Sequence, residues 1–134
     1  MCKNISCLVV DADEMTRHRH SGMLAGECFR VRSVCNGVDA LLEMEKVAYD
    51  LVLLNLPNPG LDALAWLCAI KQRWPDCEVV IVTDHPSIET ATVAIRLGAY
   101  DYLPKPVRPE RLLQAAQEAV AHKQWALRCE RIAA

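Results

Sequence analysis

Three short apolar segments constrain the fold of this chain more than any other feature. The segments SCLVV, DLVLL and EVVIV consist almost entirely of apolar residues. A strand with one face in water alternates apolar and polar residues, whereas a strand covered on both faces does not. The three segments therefore predict a parallel sheet that is buried beneath helices on both sides.

Strand and helix candidates alternate along the whole chain. The predicted strands are Ile5–Val10, Phe29–Val34, Leu51–Leu54, Glu78–Val82 and Tyr100–Leu103. The predicted helices are Glu14–Ala25, Val38–Lys46, Leu61–Trp74, Ile88–Leu97 and a last one from Pro109 to Ile132. This order predicts a doubly wound (βα)5 sandwich of the flavodoxin-like α/β class, with a central five-stranded parallel sheet and right-handed crossovers. The functional crevice of such a fold lies at the carboxyl ends of its strands.

The bulk composition restricts the function classes. With 134 residues, 52% hydrophobic and 24% charged, the chain has the size and composition of one globular domain. Its net charge of -2 offers no general attraction to nucleic acid. No apolar stretch has the length of a membrane span or the form of a signal peptide. We therefore expect a cytoplasmic protein that contacts neither membrane nor nucleic acid directly.

Cysteines and histidines suggest no metal site. The seven cysteines are odd in number and include no C-x-x-C pair, so we expect reduced residues that pack as small hydrophobes, with a redox role as the alternative. His18 and His20 are two residues apart and would point to different faces of a helix. We expect them on a solvated helical face, with a small basic contact patch as the alternative.

The last helix is longer than packing requires. Its apolar residues recur from Leu112 to Ile132, over about 36 Å if the segment is fully helical. We assign residues 1–122 to the folded domain and 123–134 to an extension of the helix. The extension is either a linker to an output domain or a dimerisation segment, with a frayed tail as the alternative.

Polar residues follow the predicted strands where each strand ends. Asp11 and Asp13 follow the first strand, Asn55 ends the third, Thr83 and Asp84 end the fourth, and Lys105 follows the fifth. Each residue also has a purely structural explanation. The aspartates could cap the first helix, Thr83 could cap a turn, and Lys105 could be a solvated cation. Together they predict one polar site in the crevice.

The segments LVVDADE, CNGVDALLE, DLVLLNLPNPGLDAL and VVIVTDHPSIETATVAIRLGAYDYLPKP resemble the signatures of bacterial response-regulator receiver domains over residues 5–122. The last helix, RPERLLQAAQEAVAHKQWALRCERIAA, resembles the helix that follows the receivers of enhancer-binding transcription activators. In that family, an aspartate on the third strand accepts a phosphoryl group from a histidine kinase. Two acidic residues help bind Mg²⁺, a Thr or Ser and a Lys contact the phosphoryl oxygens, and an aromatic residue moves on activation.

The resemblance assigns these roles by matched motif position. The acceptor position is Asn55, the acidic pair is Asp11 and Ala12, and the phosphoryl contacts are Thr83 and Lys105. The switch aromatic is Tyr102. The resemblance also implies a cis Lys105-Pro106 peptide, and the loop residues Pro59, Gly60 and Asp62 match the family as well.

Three departures from the family pattern bear on function. Asn55 has no anionic oxygen to attack phosphorus, and Ala12 removes a carboxylate ligand from a metal that prefers hard oxygens. Asp84 stands where the family has a small residue, so it either pairs with Lys105 or remains solvated.

We therefore expect an atypical receiver that is not an enzyme and acts as a phosphorylation-independent interaction or dimerisation module. Its expected partners are a protein or output domain and a second copy of itself. We expect no cofactor and only weak Mg²⁺ binding, through Asp11 with Asp13 as a further candidate ligand. One alternative is a receiver that still autophosphorylates on Asp11 or Asp13. Another is a flavin- or small-molecule-binding domain, although no glycine-rich turn follows the first strand.

Overall fold

The computed structural model describes residues 5–27, 29–57 and 61–133, except for the side chains of residues 61 and 62. The strands are β1 (Ile5–Val10), β2 (Phe29–Val34), β3 (Leu51–Leu56), β4 (Glu78–Thr83) and β5 (Asp101–Pro104). The helices are α1 (Glu14–Ala25), α2 (Gly37–Lys46), α3 (Leu61–Arg73), α4 (Ile88–Arg96) and α5 (Pro109–Ala133). Strand and helix alternate as predicted.

The five strands form one parallel sheet in the order β2-β1-β3-β4-β5. This arrangement confirms the predicted doubly wound (βα)5 class. The strands β3 and β4 extend further than predicted, and Leu56 pairs with Thr83 at their ends. As a result, Asn55 and Thr83 belong to the sheet itself and not to the loops that follow it.

Each face of the sheet has its own hydrophobic core. Val52 and Leu54 of β3 pack with residues of α2, α3 and α4, whereas Leu51 and Leu53 pack on the opposite face with α1 and α5. All four side chains are at most 2% exposed. The continuous apolar run in the sequence thus reflects burial on both faces of the strand.

Helix ends follow from local side-chain chemistry. Asp13, Asn36 and Ser87 are the N-caps of α1, α2 and α4, and each accepts a hydrogen bond from the backbone three residues later. Gly98 follows α4 with a φ of 109°, a conformation that favours glycine. Among the described helices, none is long and apolar enough to cross a membrane.

Gly37 of α2 lies directly against the Trp66 side chain of α3. A Cβ atom added to Gly37 would lie 2.3 Å from the nearest carbons of the Trp66 indole ring. By contrast, a Cβ atom added to Gly22 in α1 would meet nothing within 4 Å. Gly37 therefore lies where a larger residue would collide with Trp66, whereas Gly22 has space for a side chain.

We predict that Gly37→Ala lowers the free energy of unfolding by about 1–3 kcal/mol, because the new methyl group overpacks against Trp66. The matched variant Gly22→Ala is expected to raise it by up to about 1 kcal/mol, through helix propensity alone. Urea denaturation followed by circular dichroism measures both changes. If the free energy of unfolding increased by a similar amount in both variants, Trp66 would leave room for a methyl group at Gly37.

Candidate functional site

The polar residues predicted at the strand ends lie at one edge of the sheet. Asp11 directly follows β1, Asn55 lies near the end of β3, Thr83 ends β4 and Lys105 directly follows β5. Because parallel strands share their carboxyl edge, these four positions surround one crevice. The Lys105-Pro106 peptide bond is cis, in agreement with the sequence-based expectation.

A buried ion pair joins the two ends of the crevice. The Oδ2 atom of Asp11 accepts a hydrogen bond from Nζ of Lys105 at 2.8 Å, and Oδ1 accepts one from the backbone N–H of Asp13 at 2.9 Å. The side chains of Asp11 and Lys105 are only 3% and 7% exposed. Both carboxylate oxygens of Asp11 therefore already have partners within the protein.

Lys105 has a second acidic neighbour in Asp84. Its Nζ atom lies 3.7 Å from Oδ2 of Asp84, whose side chain is 66% exposed. The structure thus combines both alternatives for Asp84, because the carboxylate pairs with Lys105 and still faces solvent. An exposed pair of this kind contributes little stability, but it places a second negative charge at the mouth of the crevice.

Thr83 and Tyr102 are held by other parts of the protein. The Thr83 hydroxyl donates to the Leu56 carbonyl at 2.8 Å and accepts from the backbone N–H of His85 at 3.0 Å. The Tyr102 hydroxyl accepts from the backbone N–H of Ser87 at 3.1 Å and lies 2.6 Å from the hydroxyl of Thr90. Tyr102 also packs against the core beneath α4, so its half-buried ring is held at the start of that helix.

Asn55 differs from its neighbours because its buried oxygen has no hydrogen-bond partner among the described residues. The residue lines a cavity of about 160 Å³ between the strand ends and the start of α2 and α3. The walls include Cys35, Asn36 and Trp66, which sequence reasoning did not place at the site. Cys35 and Asn36 come just after a predicted strand and open the motif CNGVDALLE, whereas Trp66 lies within a predicted helix and carried no such signal.

Neither Ala12 nor Asp13 offers a free metal ligand at the site. Ala12 is exposed, and Asp13 is the N-cap of α1, where its Oδ2 accepts from the Thr16 backbone at 2.9 Å and from the Thr16 hydroxyl at 2.5 Å. These hydrogen bonds hold the pKa of Asp13 below its ordinary value.

The donor set at this site fits Mg²⁺ poorly. Among the described residues, no group of three or more His, Cys, Asp and Glu side chains could hold a metal ion. A cation would have to compete with Lys105 for Asp11 and with Thr16 for Asp13. Of the loop residues that match the family, Pro59, Gly60 and the side chain of Asp62 lie outside the described residues.

His20 corrects the expectation of a solvated histidine pair. His18 is exposed, but His20 is only 2% exposed, and its Nδ1 atom has no hydrogen-bond partner in the described part of the chain. Burial lowers the pKa of His20, and the positive charge of Lys105 lowers it further. The sequence held a signal, because His20 precedes the buried Leu24 by four residues and so lies on the same face of α1.

The cysteines with described positions are free thiols, of which two are buried, two are exposed and Cys68 is half-buried. Cys7 and Cys77 are buried, and burial raises the pKa of Cys77 to about 12 and that of Cys7 further still. These two residues pack as small hydrophobes, as expected. Cys35 and Cys129 are exposed instead, and Cys2 and Cys28 lie outside the described residues.

Comparison with known proteins identifies the class to which this fold and site belong. Residues 7–117 match the family model described as the response regulator receiver domain. The chain belongs to this family, and the resemblance drawn from its sequence motifs is confirmed at that level.

The similar proteins include transcription regulators. The chain is 35% identical over 116 residues to the DNA-binding transcriptional regulator NtrC of Escherichia coli, covering 87% of this chain and 25% of that protein. It is 36% identical over 118 residues to the transcriptional regulatory protein ZraR of Salmonella typhimurium, covering 88% and 27%. The chain thus spans about a quarter of the length of these curated relatives.

Among solved structures, the receiver domain of NtrX from Brucella abortus is similar in both sequence and fold. The two chains are 38% identical with a TM-score of 0.80, covering 86% of this chain and 98% of that one. NtrX from the same organism in complex with ATP gives a TM-score of 0.90 at 34% identity, covering 98% of this chain and 30% of that one. The likeness to NtrC- and NtrX-type receivers therefore holds for sequence and structure together.

We predict that acid destabilises this protein partly through His20. Because the pKa of His20 is lowered in the folded state, the unfolded chain binds more protons as the pH falls below the ordinary histidine pKa of about 6.5. The contribution of His20 to stability is therefore complete above that pH and is lost as the pH falls through the interval down to the folded-state pKa. The variant His20→Leu should lose this part of the pH dependence.

Urea unfolding at a series of pH values from 8 to 5 measures this effect. The matched control is His18→Leu. His18 is exposed on the same helix, so this substitution should leave the change of the unfolding free energy with pH unaltered. Equal slopes for His20→Leu and the parent chain would contradict the assignment of the proton linkage to His20.

Proposed function

We propose that this chain is an atypical receiver domain whose phosphoryl-acceptor position is occupied by Asn55 and which signals without phosphorylation. The observation that carries the proposal is the joint state of Asn55, Asp11 and Lys105. The acceptor position holds an amide, and the acid and the lysine beside it neutralise each other at 2.8 Å. The crevice therefore has neither the nucleophile nor the uncommitted charges that phosphoryl transfer needs.

An amide at position 55 lacks the nucleophile that phosphoryl transfer needs. A phosphoryl acceptor must supply an oxygen with a full negative charge, and Asn55 offers a neutral carbonyl oxygen and a nitrogen whose lone pair is delocalised. Besides Asp84 at the mouth, the carboxylates near the crevice are Asp11 and Asp13. Each accepts hydrogen bonds that stabilise it as an anion and restrain its position, so neither is arranged as a replacement nucleophile.

The residues around Asn55 also lack the uncommitted charges that Mg²⁺ binding needs. Mg²⁺ usually binds proteins through one or two carboxylates and keeps several waters. Ala12 supplies no ligand, and Asp11 is engaged by Lys105 and by the Asp13 backbone. We infer that Mg²⁺ binds weakly and that the domain requires no other cofactor.

The retained parts of the domain favour an interaction function over an enzymatic one. Apolar side chains remain exposed on α4, where Ile88 is 82% and Ile95 50% exposed, and on α5, where Trp125 is 60% and Ile132 79% exposed. Apolar groups that form a contiguous exposed patch are typical of protein contact surfaces. We infer that the domain binds a protein partner or a second copy of itself, and contacts neither nucleic acid nor membrane directly.

The similar proteins suggest the wider setting. NtrC and ZraR are regulators of transcription roughly three and a half times as long as this chain. We propose that residues 1–122 are the receiver part of such a cytoplasmic regulator. In this proposal, residues 123–134 continue α5 toward an output domain or a dimer partner.

We predict that the parent chain remains unmodified after incubation with acetyl phosphate and Mg²⁺, because Asn55 cannot form an acyl phosphate. The double variant Asn55→Asp/Ala12→Asp should gain one phosphoryl group, because it restores the acceptor and a metal ligand in a retained fold. Intact-mass spectrometry measures both results in one experiment. The single variant Asn55→Asp, which lacks the second acid, should gain the group more slowly.

The matched control is Asn36→Asp, which places a carboxylate on the wall of the same cavity but away from the acceptor position. It should remain unmodified. A stable adduct on the parent chain would overturn the proposal, and peptide mapping to Asp11 or Asp13 would establish autophosphorylation at another carboxylate instead.

We also predict that the exposed end of α5 drives self-association. The side chains of His122 and Lys123 still bond to Glu78 at the start of β4 and to Asp50 just before β3, whereas Trp125 and Ile132 are largely exposed. The variant Trp125→Ser/Ile132→Ser should weaken the dimer at least about tenfold, the loss expected from burying less apolar surface.

Sedimentation velocity over a range of protein concentrations measures this association. Ile88→Ser on α4 is the control that leaves the α5 surface intact. A larger loss in Ile88→Ser would place the interface on α4, and a parent chain that is monomeric at all concentrations would refute dimerisation.

A further inference from the structure

The outward side of α5 carries a continuous stripe of exposed residues, which we call the α5 stripe. Its members are separated alternately by four and three positions, so they lie on one side of the helix. They are Gln114, Glu118, Ala121, Trp125, Arg128 and Ile132. The residues that bury α5 against the domain, such as Leu112 and Ala119, lie on the other side. A helix surface with this spacing can form a seam with a second helix.

An aromatic row restrains Trp125 on the stripe. The ring centroids of Tyr100 and His122 are 5.3 Å apart, and those of His122 and Trp125 are 6.2 Å apart. His122 is held in turn, because its Nδ1 atom lies 2.7 Å from Oε2 of Glu78. These rings border a shallow depression of about 550 Å³ that includes Ala121. The stripe thus presents one large side chain and, one helical turn before it, space for another.

The stripe also carries one charge of each sign. Glu118 accepts a hydrogen bond from Gln114 at 3.2 Å, but neither Glu118 nor Arg128 forms an ion pair with another described residue. With a rise of 1.5 Å per residue, the two positions are about 15 Å apart along the helix. Both charges are therefore available to a partner.

A second copy of the chain can meet this stripe in two directions. In a parallel seam, each residue faces the same residue of the other copy, so Glu118 faces Glu118 and Arg128 faces Arg128. In an antiparallel seam centred beside Lys123, Glu118 faces Arg128 and Trp125 faces Ala121. Like charges at two positions disfavour the parallel seam, whereas opposite charges favour the antiparallel one.

The same residues specify the register of an antiparallel seam. A shift by one seven-residue repeat in either direction separates Glu118 from Arg128, so only one register pairs the charges. In that register a large side chain, Trp125, packs beside a small one, Ala121. Complementary charge and complementary size therefore select the same alignment.

The position of the domain along α5 leaves room for this alignment. The buried residues of the helix end at Val120, and the seam is centred beside Lys123. Residues 124–133 of each copy therefore run along the outward side of the other copy's α5. The two domains lie at opposite ends of the seam and do not compete for space.

We propose that two copies of this chain associate through an antiparallel seam of their α5 stripes. Glu118 of each copy pairs with Arg128 of the other, and each Trp125 packs beside Ala121 of the other. This inference rests on the proposed function, since it requires that the chain self-associates, and it adds the direction and register of the contact. The carboxyl ends of the two helices then point away from each other, so output domains attached to them would lie on opposite sides of the dimer.

Charge reversal and its rescue test this arrangement on the full chain. Glu118→Lys places two cations opposite each other at both ends of an antiparallel seam, and we expect the dimer dissociation constant to rise at least about tenfold. Arg128→Glu should have a similar effect. The double variant Glu118→Lys/Arg128→Glu should return the constant to within about threefold of the parent value, because it restores opposite charges. Sedimentation velocity measures all four chains.

The matched control is Glu130→Lys, which makes the same charge change at an exposed residue on another side of α5. It should leave the dissociation constant unchanged. A parallel seam would exchange one pair of like charges for another in each single variant. Equal constants for the parent and both single variants therefore overturn the proposal, as does a loss in Glu130→Lys that matches the loss in Glu118→Lys.

Disulfide trapping measures the direction independently. Chains carrying Glu118→Cys and Arg128→Cys are mixed and oxidised, and peptide mass spectrometry separates their disulfides from those of the exposed natural residues Cys35 and Cys129. We expect a disulfide between position 118 of one chain and position 128 of the other. Disulfides that join 118 to 118 or 128 to 128 instead would establish a parallel seam and overturn the inference.

The outcomes separate this inference from the proposed function. A dimer that is insensitive to both charge reversals overturns the antiparallel seam alone and leaves self-association intact. A parent chain that is monomeric at all concentrations refutes self-association, and the seam with it. The mass-spectrometric test of phosphorylation is independent of both results.

Discussion

Coverage of the sheet on both faces is the constraint from which the site follows. The side chains of β3 and β4 are buried along almost their whole length, and both faces are sealed by helices. Desolvating an unpaired polar group in these layers is unfavourable, so polar side chains collect where the strands end. Asp11, Asn55, Thr83 and Lys105 all occupy that edge. The same burial that stabilises the fold thus concentrates its chemistry in a single crevice.

Within the crevice, the Asp11–Lys105 pair decides what the site can accept. Both side chains are more than nine-tenths buried, and the free energy cost of removing two such charges from water offsets much of their attraction. The pair is therefore weak evidence for stability. Its chemical consequence is larger, because the cation that would meet a phosphoryl group and the carboxylate that would meet a metal ion already satisfy each other.

The fold could be predicted from the sequence because both signals that specify it are local. Apolar runs such as DLVLL indicated strands buried on both faces, and the N-caps Asn36 and Ser87 are residue types that favour helix starts. The strand-end residues could be predicted for the same reason. The cavity could not, because it depends on how Trp66 packs over Gly37 from another helix. The burial of His20 was missed since its polar neighbours suggested a wet face, although its spacing from Leu24 indicated a buried one.

In the proposed function the domain has no phosphoryl input, so a partner or another ligand must supply the free energy that shifts it between two states. A two-state equilibrium moves only by the difference in a ligand's affinity for the two states. A change from 1:99 to 99:1 requires a difference of about 10⁴-fold in affinity for the two states. A partner with a smaller difference in affinity would switch the domain only if the two states were already close in free energy. The Tyr102 hydroxyl bonds to Ser87 and Thr90, so the residue at the switch position that the family resemblance implies connects β5 to the start of α4.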